Sequence, residues 1–155
     1  MKKGFTLVEM LVVIVVMGIL AALISTNLYG ARTRATDSQR KTTLNQLKIA
    51  LHSYYATYHK YPLWTNGLTF NACGVGGTSS CTTSFTADGV EYLNKLPKSG
   101  SYFDFRYYSC LNEDDFRLKI SLNNASDPDI AISKARCPEG CNTTYSANTY
   151  VLCAN

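Results

Sequence analysis

From Phe5 to Leu28 the chain runs through 24 residues in which Glu9 is the only ionisable side chain. Wound as an α-helix such a run is about 36 Å long, enough to cross a bilayer core of about 30 Å. It therefore predicts a single membrane-spanning helix, not part of an ordinary soluble core. Lys2 and Lys3 precede the run. A secretory signal would be cut after its apolar stretch, beside small residues. Here the candidate processing point, between Gly4 and Phe5, lies in front of it. A cut there removes the short leader 1–4 and leaves the apolar helix on the mature chain, with Phe5 as its new amino terminus.

Glu9 is the residue in this segment that needs a reason. An acid at the centre of a membrane helix costs about 2.5–3.5 kcal/mol, and such residues are functional by default. Cleavage would supply a counter-charge, because the new amine of Phe5 lies about one turn away. If neighbouring helices are staggered axially, Glu9 of one subunit meets the amine of the next. A buried pair adds little net stability, whereas a lone partner is heavily penalised, so the pair serves as a register device. The competing reading leaves Glu9 at the headgroup interface, snorkelling to water. Gly18 with Ala22 and Ala21 with Ser25 let helices approach closely, although ordinary anchors carry such pairs too.

The basic leader, the string GFTLVE, Glu9 and the apolar run stand in an order that resembles the leader junction of type IV pilins and pseudopilins, of the class III prepilin type. Leu44 to Pro62, ending in YYATYHKYP, and Tyr92 to Lys98, YLNKLPK, resemble further stretches of major pseudopilins. The resemblance implies cleavage after Gly4 by a prepilin peptidase, methylation of the Phe5 amine, and an assembly role for Glu9. It also implies a homo-oligomeric helical filament built by a pilus assembly platform. Before assembly the chain is a single-pass membrane protein; afterwards it is an extracellular filament or a periplasmic pseudopilus. One departure is evident: many pilins carry a proline near the outer end of the apolar segment, and Leu23 to Leu28 contains none. Any local loosening of the helix is then expected at Gly18 or at Thr26 to Gly30.

Beyond Leu28 the pattern changes. Leu44, Leu47, Leu51, Tyr54 and Tyr58 make one apolar stripe at helical spacing, which should pack on a head domain. Tyr29 to Thr43 is polar on all sides and must bridge solvent or find partners. Pro62 disfavours helical geometry in Tyr61, so the helix should end near His59 to Tyr61. The organisation expected is a leader at 1–4, an apolar helix at 5–28, its amphipathic continuation at 29–61, and a disulfide-rich head at 62–155.

All six cysteines, Cys73, Cys81, Cys110, Cys137, Cys141 and Cys153, fall in the head. An even count in an exported domain favours disulfides, with 15 ways to pair six cysteines, and staples suit so small a core. Cys73 with Cys81 is favoured; the other four are left open. The disulfides place the head on the oxidising side, which the charges flanking the span do not decide. Residues 63–88 read as a long loop and 88–96 as a short helix capped by Asp88. Residues 102–109 and 116–122 read as strands joined by a turn at 112–115. Residues 123–147 read as a second loop, and 149–153 as a last strand. The fold class expected is α+β, a long amino-terminal helix on a small antiparallel sheet.

No catalytic constellation is assembled. His52 and His59 lie on the helix away from any nucleophile, so no enzyme is expected. Cys137 and Cys141 with Cys110 and Cys153 form a zinc pattern, but disulfides are preferred in an exported domain. Glu113, Asp114, Asp115, Asp127 and Asp129 are candidate calcium ligands without EF-hand spacing, for which turn and surface roles are favoured. Asn124 and Asn142 open glycosylation patterns. Residues 1–60 carry eight Lys or Arg against two acids, and residues 61–155 carry seven against nine. The basic stalk is read first as a solvated face, with lipid, nucleic acid or an acidic head as partners it can take. The function expected is a pilin for adhesion or motility. A major pseudopilin of a type II secretion system comes next, then a competence pilin binding DNA. From another class comes a membrane-anchored binding module that never polymerises.

Overall fold

The computed structural model describes residues 6–64, 69–99, 102–103, 105–110 and 112–154; at 23–27, 98–99 and 102–103 it describes the backbone alone. The chain divides into two compact units, Met1–Thr36 and Asp37–Asn155. The helix α1, Leu7–Tyr58, contributes to both. It is helical without interruption at Gly18 and at 26–30, so the loosening expected there is not seen.

In the second unit the predicted stripe is the helix's buried face. Leu44, Leu47, Leu51 and Tyr54 are buried, joined by Ala50, and Tyr58 is half-buried at the end of the row. The helix stops where Pro62 requires it. His59 turns to a positive φ of 53°, its N–H still reaching Tyr55 O at 2.8 Å, and the N–H of Tyr61 passes to Glu113 O.

Against this face stands an antiparallel sheet of β8 (Arg106–Ser109), β9 (Phe116–Ser121) and β10 (Thr149–Cys153), in the order β10-β9-β8. Tyr107, Phe116, Leu118 and Ile120 alternate inward to the core, and residues between them face outward. The hairpin turn expected at 112–115 is present, with Cys110 N–H donating to Asp115 O and Glu113 at a φ of 55°. The expected strand at 102–109 is instead two. β6 (Lys98–Ser99) and β7 (Tyr102–Phe103) form a separate ribbon, and the buried Phe105 stands between β7 and β8.

Three further expectations are corrected. The long loop read at 63–88 contains β1 (Leu63–Trp64), β2 (Phe70–Cys73) and β3 (Ser79–Ser80), a sheet ordered β1-β2-β3. Phe70 and Ala72 are buried from it, and a few inward apolar residues suffice to hold so short a sheet. The helix read at 88–96 is a strand. β4 (Phe85–Ala87) pairs with β5 (Val90–Leu93) across Asp88-Gly89, both at positive φ, 48° and 79°. An Asp-Gly pair with those dihedrals is a hairpin turn, and that local chemistry overrides the capping reading of Asp88. Finally, the loop read at 123–147 contains α2, Pro128–Arg136. Asp127 caps it, accepting the N–H of Asp129, and Pro128 occupies the first turn, where its missing N–H costs nothing.

The α+β class stands: a long helix, small antiparallel sheets and three disulfides. Cys73 is bonded to Cys81 as expected, and the remaining four pair as Cys110–Cys141 and Cys137–Cys153.

Candidate functional site

The first turn of α1 is closed by its own side chains. Thr6 Oγ1 accepts the N–H of Glu9 at 3.3 Å, and Glu9 Oε2 accepts the N–H of Thr6 at 3.4 Å. This reciprocal pair is a capping box, which satisfies two of the amide groups a helix start leaves unpaired. Glu9 also places a negative charge at the positive end of the helix dipole. The sequence reading missed this local role; the Thr-x-x-Glu spacing carries the signal. Gly4 and Phe5, the cleavage and methylation residues, lie outside the described residues.

From this cap onward the helix exposes apolar side chains all round. Leu7, Val8, Met10, Leu11, Ile14, Met17, Ile19 and Leu20 are among them, Leu7 at 81%. Such surface left bare in water would be costly over so many residues. Among the described residues no helix is long and apolar enough to cross a membrane. The side chains at 23–27 are not described, so the run that is described covers only part of the expected span 5–28.

A second set of residues fixes α1 to the head. Asp37, 2% exposed, accepts the backbone N–H groups of Asn123 and Asn124, both at 2.8 Å. Arg40 donates to Ser121 O and Asn123 Oδ1. Lys41 Nζ bridges Asp127 and Asp129 at 2.7 Å and lies over the Tyr150 ring. The polar stretch 29–43 is thus not polar for lack of partners: from Asp37 on it is the head's clasp. Burial pushes the Lys41 ammonium down, but hydrogen bonds and charge from the two aspartates outweigh it and its pKa is raised. In return the Lys41 hydrogen bond holds the Asp127 carboxyl below its usual range.

At the other end of α1, Tyr58 donates to Asp88 Oδ2 at 2.5 Å while Asp88 Oδ1 accepts the N–H of Gly76. These bonds lower the Asp88 carboxyl and raise the Tyr58 phenol. His52 faces Tyr61 through Nδ1 at 3.1 Å and meets the edge of Phe116; burial and then Lys48 lower its pKa. His59 ends the helix.

The candidate metal ligands have other engagements. All six cysteines are disulfide-bonded, which removes their thiolates from the zinc pattern. Asp115 receives Arg117, the N–H of Phe116 and the N–H of Ala154. Asp127 and Asp129 hold Lys41, Glu113 lies 3.8 Å from Lys60, and Asp114 is exposed. Asn124 is tied to Asp37, and Asn142 sits at a positive φ on the surface.

A capped helix with a bare apolar end, joined to a disulfide-stapled antiparallel head, defines the class of helix-borne filament subunits. The model of the prokaryotic N-terminal methylation motif matches residues 1–25. The type II secretion system core protein G of Vibrio cholerae is 33% identical over 108 residues, covering 70% of this chain and 71% of that protein. The type IV major pilin protein PilA of Myxococcus xanthus is 29% identical over 162 residues, covering 99% and 69%. The core protein G of Escherichia coli is 39% identical over 67 residues, covering 43% and 46%. No solved structure matches the chain. The chain belongs to the type IV pilin and pseudopilin family, and it is a structural subunit of that class.

Proposed function

We propose that this chain is a subunit of a type IV pilus-like filament serving adhesion or motility. Prepilin peptidase removes residues 1–4 and methylates the amine of Phe5. The apolar helix anchors the precursor in the membrane as a single pass, and an assembly platform then moves it into a helical bundle with the head outside. Lipid contacts are exchanged for helix contacts, and Glu9 sets the stagger by meeting the Phe5 amine of a neighbour. The observation that carries this reading is the exposed apolar end of α1 with a single carboxylate at its cap. An ion pair to an adjacent subunit is costly to leave half-made in an apolar bundle, which selects one register. No catalytic role is assigned to any residue.

A second reading is favoured by the likeness to core protein G from several organisms and by YLNKLPK: a core pseudopilin of a type II secretion system, forming a periplasmic pseudopilus. Extracellular filaments in micrographs separate the first reading from the second. A competence pilin would instead show DNA binding with a steep salt dependence. A non-polymerising anchored module would keep Met1 and be indifferent to Glu9. The test of processing is Gly4→Arg: its chain should retain the leader by mass spectrometry, and a normal mature terminus would overturn the cleavage site.

A further inference from the structure

On the outward face of the β8–β9–β10 sheet lies an open groove of about 710 Å³. Among the described residues Arg40, Arg106 and Lys119 line it, and no carboxylate does. Arg106 and Lys119 are direct partners across β8 and β9, so their side chains leave the same face as close neighbours. Like charges placed opposite one another destabilise a strand pair. Several other cations are paired with carboxylates: Lys41 with Asp127 and Asp129, Arg117 with Asp115, Lys60 with Glu113, and, within the groove, Arg40 lies 3.7 Å from Asp37. Among the described residues Lys119 is held only by uncharged oxygens, Thr143 Oγ1 and Thr144 O, over the ring of Tyr108. Arg106 is exposed and has no hydrogen-bond or ion-pair partner among the described residues.

We infer that this groove binds a carboxylate-bearing saccharide, with the acid between Arg106 and Lys119. Arg106 offers five N–H donors in a planar fork suited to a carboxylate, and Lys119 has a proton left after its two bonds. The rest of the lining supplies hydroxyls and amides, Ser121, Asn123, Thr144, Ser146, Asn148 and Thr149, the donors and acceptors that sugar hydroxyls need. The volume is far larger than one inorganic anion requires. Among the described residues no aromatic ring lines the groove, so these offer no stacking platform for nucleobases. Both facts favour the acidic sugar over single-stranded nucleic acid. The site lies within the unit Asp37–Asn155, and its success or failure is independent of whether the chain forms a pilus or a pseudopilus.

The experiment is calorimetric titration of the full chain in detergent with oligogalacturonate, with the same oligosaccharide as its methyl ester, and with a single-stranded oligonucleotide. The acid should bind, more weakly as salt rises, and the ester should not. Arg106→Gln and Lys119→Gln should each weaken binding roughly tenfold or more. Arg106→Gln should keep or raise the thermal midpoint, since it relieves a like-charge pair, so this variant decides even if Lys119→Gln unfolds. Equal affinity for acid and ester, no binding at all, unchanged affinity in Arg106→Gln, or preference for the oligonucleotide would each overturn the inference.

Discussion

Glu9 has two claims on its carboxylate. In the isolated chain it closes the capping box with Thr6; in the proposed filament it meets the amine of an adjacent Phe5. Glutamine can replace glutamate in a capping box but carries no charge. Glu9→Gln therefore separates the two roles. The register account expects Glu9→Gln to lose filaments as Glu9→Ala does, with membrane insertion intact in both. Normal filament yield from Glu9→Gln would reduce Glu9 to a cap. Asp37 is a different kind of acid, legible in the sequence only as one more polar residue of the stalk. Its two backbone bonds are long-range, to Asn123 and Asn124, and no local pattern announces them. Asp37→Ala leaves two N–H groups without their acceptor and should lower unfolding free energy by about 3 kcal/mol in denaturant titration; a change near zero would show the clasp to be dispensable.

The elements that the sequence made plain are those announced by their own residues, whatever they pair with later. The stripe from Leu44 to Tyr54, the strands at 116–121 and 149–153, and the stop before Pro62 are of this kind. What stayed hidden was decided by turn chemistry read for the wrong partner. Asp88 looked like a helix cap until Gly89 is weighed with it, and Asp127-Pro128 opens α2 in a stretch read as loop. The same two aspartates should make the head sensitive to acid. Both titrate below the usual Asp value of 3.8 when folded, Asp88 through Tyr58 and Gly76, and Asp127 through Lys41. Their contribution is therefore complete above that value and is lost as pH falls through the lowered folded values. Thermal midpoints should hold to about pH 4 and fall below it. In the double variant Asp88→Asn with Asp127→Asn that fall should be shallower, and an unchanged acid limb would place the sensitivity elsewhere.

The chain as a whole joins an apolar helix end to a head whose core is small and aromatic. Phe70, Phe85, Phe105, Tyr107 and Phe116 fill it, and three disulfides close the loops around it. The count of cysteines foretold staples, and only Cys73–Cys81, joined by the flexible GVGGTSS, was favoured on sight; Cys137 and Cys141, nearer still in sequence, bond elsewhere. Cys110–Cys141 and Cys137–Cys153 depend on where α2 and β10 sit, which the sequence left open. Replacing Cys137 and Cys153 with serine opens a loop with a sequence separation of 16 and should cost about 3 kcal/mol on the chain-entropy estimate. Denaturation that leaves the midpoint unmoved would count against that staple. Half of the candidate assembly site was legible too. Glu9 in an apolar run draws notice at once, whereas its bond to Thr6 needs three-residue spacing to be read as a cap.

The most direct measurement is mass spectrometry and terminal sequencing of the subunit taken from filaments sheared off cells. The account predicts a chain that begins at Phe5, carries a methylated amine, and is recovered in polymer. A subunit still bearing Met1, found solely as single membrane-anchored chains, would contradict it.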